Sequence, residues 1–249
     1  MVYMTFLLYI IVDLLLAPSH LFEYIYMESI LGYDSLNLIS LNWIALMGII
    51  IGALFTYQTF ALRKWRYKTM TVIAFLAIIS YLMLFYFTLD YNLPKESLML
   101  SIFLRSFGYV VVAICFLTAL CRVPFLYFFE TVSVQAFVSA GLGEALGTTV
   151  LGHALKVVMK KNEMLLGANL DNVNILATRL SKGELYGALQ QQALMVSMKE
   201  LYGWLVLISL FCLLVFIVKE SSIRPKFAIH PKFRTIRRSI KHELREKIN

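Results

Sequence analysis

Apolar residues in this chain come in long unbroken runs, separated by short polar or basic interruptions. The runs show no strict alternation, so they do not read as the strands of a membrane β-barrel. Each is long enough to cross a hydrocarbon layer as a helix, which takes about 20 residues. The pattern predicts six membrane helices, at about 4–27, 38–62, 69–89, 98–120, 125–158 and 201–218. The fold class is therefore all-α and polytopic, with a six-span membrane domain over 1–220. The polar stretch 159–200 reads as an external loop carrying an amphipathic surface helix around Tyr186 to Met198. Residues 221–249 read as a basic tail, in which Phe233 to Lys247 has the pattern of a surface helix.

Several spans carry internal features. Pro18 lies inside the first span and predicts a kink there. Gly48 and Gly52 sit four apart in the second, so close helix packing is expected. The fifth run exceeds the length a bilayer requires. It must tilt, break at its glycines or project. Ser139, Gly143 and Gly147 follow at four-residue steps in that run and share one face, a helix-packing surface widened by Ala136 and Ala140.

Composition reinforces the class. The chain is 60% hydrophobic and 15% charged, with mean hydropathy +0.75, against roughly 25% charged in a soluble domain. Of the net charge of +8, most lies in the tail: from Lys219 onward there are ten Lys or Arg and three Glu. Attraction to anionic lipid heads and the cytoplasmic bias of basic residues explain this without nucleic acid. The first span lacks a basic start and a small-residue cleavage site, so it reads as a retained helix. Cys115, Cys121 and Cys212 lie in or beside apolar runs without metal spacing, and imply neither disulfides nor a metal site.

The candidate chemistry is a few ionisable residues inside apolar helices, where a charge is costly and points to a functional site. Asp13 and His20 share a face of span 1, with Glu23 close to it. Glu23 is expected near the membrane surface and hydrated, Asp13 deeper among Ile and Leu. Arg105 either reaches for the surface or pairs with a carboxylate of another span. Glu144 is expected near mid-depth, as a substrate residue or as a buried partner of a group such as Arg105. Glu130 is expected near the surface. No nucleotide-binding loop, HExxH pair or nucleophile–base spacing occurs, so no catalytic residue, metal or cofactor is expected and the chain does not read as an enzyme.

Six spans place both termini on one side. The basic loop Arg63 to Lys68, Arg122 and the tail then share the cytoplasmic face.

The link Leu31-Gly32-Tyr33-Asp34-Ser35-Leu36 resembles the external link between the first two spans of a major facilitator half. The stretch Val138-Ser139-Ala140-Gly141-Leu142-Gly143-Glu144-Ala145-Leu146-Gly147 is similar to the Gly-rich span of the fourteen-span drug:proton antiporter branch. Gln192-Ala193 and Glu200-Leu201-Tyr202, leading into the last span, resemble the same branch. The resemblance covers about residues 5 to 220 and implies the carboxyl-terminal half of a major-facilitator-type bundle. It implies proton-coupled efflux of small molecules or drugs across a cell inner membrane. Asp13, His20, Glu144 and Arg105 are then candidates for binding substrate or protons. It also implies a partner, either a missing amino-terminal half or a second subunit. The alternative function is a non-transporting membrane assembly subunit, joined through the glycine faces.

Overall fold

The computed structural model describes residues 2–121, 125–168 and 181–219, and helix is the only regular secondary structure among them. The protein is an all-α polytopic membrane protein. Among the described residues, six helical stretches are long and apolar enough to cross a bilayer.

Helix α1 spans Val2–Ile25 and carries Pro18 inside it. It continues as a wide turn, Tyr26–Ile30, whose hydrogen bonds reach five residues back. Helix α2 (Ser35–Thr56) ends in a similar wide segment, Tyr57–Leu62. The two ends close alike. Leu31 N–H donates to Tyr26 O and Tyr33 N–H to Met27 O; Arg63 N–H donates to Gln58 O and Trp65 N–H to Thr59 O. Each closure needs a left-handed residue, supplied by Gly32 at φ 61° and Lys64 at φ 56°. Glycine adopts that geometry freely, whereas a lysine is strained by it.

Helices α3 (Tyr67–Thr88) and α4 (Lys95–Leu120) follow, α4 opening after Pro94. The fifth stretch is one long rod. It comprises α5 (Phe125–Val138), a wide π segment (Ser139–Ala145) and α6 (Leu146–Ala168). Helix α7 runs unbroken over Lys182–Lys219.

Helices α1, α4, α3, α7 and α6 pack in that cyclic order, with α2 attached outside on α4 and the π segment lying on α1. Inside the ring, Phe22 of α1 meets Tyr202 of α7 edge-on at 5.8 Å, and Tyr202 stacks on Phe85 of α3 at 5.4 Å. Lipid is as apolar as a leucine side chain, so helix association relies on close contact rather than on escape from water. Glycine provides that contact on both sides of α4. A Cβ on Gly48 would lie 2.7 Å from the Phe103 carbonyl oxygen, and one on Gly108 would lie 2.9 Å from that of Ala74.

The stretch from 159 to 200 differs from the expected loop. Helix α6 continues to Ala168 and α7 begins at Lys182, so the two form an antiparallel hairpin. Leu185, Leu189, Ala193, Ser197 and Leu201 recur at four-residue steps, which keeps one contact stripe in phase with the apolar span. Small Ala193 and Ser197 admit α6, and Asn162 Nδ2 donates to Ser197 Oγ at 2.9 Å. Lys161 pairs with Glu200 at 2.8 Å on the exposed side. At 38 residues, α7 is about 57 Å long, nearly twice the hydrocarbon thickness. Its polar half therefore projects. The predicted tail helix lies outside the described residues.

Candidate functional site

Between α1, α2, α4 and the π segment lies an open cleft of about 680 Å3. Helix α1 faces it with Asp13, Leu16, Ser19 and Glu23, and the wide turn after it adds Met27, at steps of three or four residues. Asp13, Glu144 and Arg105, three of the sequence candidates, all line this one cleft. The side chain of the fourth, His20, lies outside those described.

One end of the cleft is closed by an ion pair. Arg105 on α4 donates from Nη1 to Glu23 Oε2 on α1. Tyr81 on α3 donates to the other oxygen, Oε1, at 2.6 Å. Glu23 is only 3% exposed, which corrects the expectation of a hydrated surface residue. Two turns of chain beyond Leu16, it remains inside the bundle because α3 and α4 each bring it a donor. Arg105 does not extend to the surface, and its partner is Glu23, not Glu144. Tyr202 brings a fourth helix to the group, its buried ring stacked on Phe85 of α3. With both oxygens satisfied and its charge matched, Glu23 has little capacity left for a ligand.

The other end is arranged around Asp13. Ser139 Oγ, in the π segment, donates to Asp13 Oδ2 at 2.5 Å. Gly143, one turn on, leaves room for the carboxylate: a Cβ there would lie 2.6 Å from Asp13 Cβ. Gly147 meets Ala17 in the same way at 2.9 Å. The small-residue face of the fifth stretch thus fits onto α1, and Ser139 is both a packing residue and a hydrogen-bond donor. Tyr9 and Tyr109 place their hydroxyls 3.4 Å apart between α1 and α4. Glu144 points into the open cleft and is exposed, which corrects its reading as a buried partner of arginine. Glu130, farther along α5, is also exposed.

Four acidic or basic side chains, Asp13, Glu23, Arg105 and Glu144, line the described cleft, and the Glu23–Arg105 pair cancels itself. The uncompensated charge is therefore that of Asp13 and Glu144. Carboxylates in such a cleft have the chemistry to accept protons, cations or hydrogen-bond donors. No set of three metal-ligating side chains occurs among the described residues. Tyr81 and Tyr109 escaped sequence reading because tyrosines in apolar helices carry no positional signal. Glu23 had one, its place on the Asp13 face, but its partner stands 82 residues away. No protein-family model matches the chain, and no curated protein matches its sequence.

Proposed function

We propose that this six-helix bundle is one half of a membrane transporter, and that Asp13 and Glu144 bind protons or a small cationic cargo in its cleft. The carrying observation is the pair of uncompensated carboxylates in an open cleft between helices of membrane-spanning length. Asn42 and Glu144 line it and are exposed. Facing lipid, such groups are strongly unfavourable, so a second protein wall enclosing a hydrated path fits them best. The resemblance of the Leu31–Leu36 link and of the Val138–Gly147 stretch to the drug:proton antiporters supports the same reading. In that reading the second wall is a further half or subunit. Both termini are cytoplasmic in a cell inner membrane, and the chain performs no enzymatic chemistry. A non-transporting assembly subunit is the second reading, favoured by the projecting α6–α7 hairpin.

The test is efflux of a cationic dye from vesicles holding this chain together with its second half, driven by a pH gradient. Asp13→Asn and Glu144→Gln should each reduce gradient-driven efflux by about tenfold or more, the scale of one lost charge-assisted contact. Transport that proceeds unchanged in both variants refutes the assignment. A protein that assembles with its partner and moves no dye supports the assembly subunit.

A further inference from the structure

The Asp13–Ser139 contact sits where the fifth stretch departs from α-helical geometry. Leu146 N–H reaches back five residues to Gly141 O, so the segment contains one residue more than an α-helix would hold. Wide turns of this kind are rare and persist where surrounding contacts impose them. Here the imposing neighbour is α1, against which the π segment packs closely, and among the described residues a single polar contact between them carries charge. Ser139 provides the hydrogen bond to Asp13, while Gly143 and Gly147 pack closely on α1 without any charge-dependent contact. Gly141 has no neighbour within 4 Å of its would-be Cβ, so the backbone has space to rearrange. On the far side α6 is secured by α7, whereas among the described residues α5 packs mainly on the π segment it leads into and lightly on α4.

We infer that Asp13 and Ser139 form a charge-controlled latch, and that protonation of Asp13 releases the π segment and lets α5 slip by one residue. As a carboxylate, Asp13 accepts a charge-assisted hydrogen bond from Ser139. Once protonated, it accepts only a neutral bond of roughly half the strength. With the tether weakened, the extra residue is no longer imposed and the segment relaxes to α geometry. A one-residue slip turns α5 by about 100° and moves each of its Cα atoms by about 4 Å. The groups able to influence Asp13 are Tyr9 on its own helix, Tyr109 and Arg105 on α4, Glu144 on the π segment and Glu23 at the far end of the cleft. Arg105 is already held by Glu23; among the described residues α2 contributes Asn42 and apolar side chains to the cleft, and α6 sets Gly147 and Gly152 against Ala17 and Leu21 of α1. The inference deepens the transport reading, since it couples proton binding to movement of one cleft wall. It stands or falls on conformation, independently of efflux.

The test uses spin-label distances in a cysteine-replaced full chain reconstituted in liposomes. Labels replace Glu130 on α5 and Met47 on α2; a reference pair replaces Val157 on α6 and Met47. Between about pH 9 and about pH 4, a range chosen to titrate a carboxylate, the first distance should change by about 4 Å and the reference should not. Asp13→Asn and Ser139→Ala should each hold the low-pH distance throughout. If Asp13→Asn fails to fold, Ser139→Ala decides alone. A wild-type distance insensitive to pH overturns the latch, as does a response that survives Ser139→Ala. A response abolished by Glu144→Gln but retained in Asp13→Asn overturns it as well. A pH response in a protein that transports nothing supports the latch and removes the transport reading.

Discussion

Glu23 shows how much a single buried carboxylate depends on its neighbours. An unpaired ion in a bundle interior carries a desolvation cost of several kcal/mol. Here Arg105 neutralises it and Tyr81 fills its second oxygen. Removing one partner leaves the other charge stranded. Arg105→Ala should therefore lower stability by about 3–5 kcal/mol, read as a fall in thermal unfolding midpoint in detergent. The neutral pair Glu23→Gln with Arg105→Gln should be less damaging than Arg105→Ala alone. A double variant as unstable as the single one would mean that packing, not charge, dominates. Asp13 poses a different problem. It has one hydrogen bond and faces an open cleft, so its substitution should affect function more than folding.

At the scale of elements, the determining feature is how closely helices approach. Gly48 faces the backbone of α4, which cannot give way without moving the whole helix, so Gly48→Ala should cost about 1–3 kcal/mol. Gly143→Ala meets Asp13 Cβ at 2.6 Å and should cost a similar amount while disturbing the cleft. Gly141→Ala has open space around it and should change the unfolding midpoint little. Comparable losses in all three would show that helix propensity, not contact, sets the effect. The spacing of these glycines was legible in the sequence, because a four-residue repeat fixes a face. Which helix each face would meet was not legible. Gly48 meets α4 rather than its chain neighbour α3, a pairing that no local pattern encodes.

At the scale of the molecule, six crossings require the polar hairpin and the basic loop at Arg63 to Lys68 to lie on opposite sides. Cysteines replacing Gln191 and Lys64 should be labelled by an impermeant thiol reagent from opposite faces of sealed vesicles. Labelling of both from one face would remove the six-span topology. The hairpin itself was half legible. Its α7 arm shows helical leucine spacing, yet the polarity of 159–200 suggested a loop. What joins the arms is contact between residues far apart in the chain, such as Asn162 with Ser197, 35 residues away. In a projecting region the hydrogen bond and small-residue fit hold the helices together, and neither appears in a hydropathy profile.

The sequence by itself determined the class, the number of spans and the existence of intramembrane charge. Continuous apolar runs admit only helices in lipid, since each backbone group must be satisfied within its own segment. It also marked Asp13, Arg105 and Glu144 as residues too costly to bury without cause. Tertiary structure alone decided their partners. It drew Arg105 to Glu23, left Asp13 with Ser139 and turned Glu144 toward the cleft, because charge pairing depends on atomic distance between helices. The chain fixes spacing along one helix; only packing fixes the distance between two.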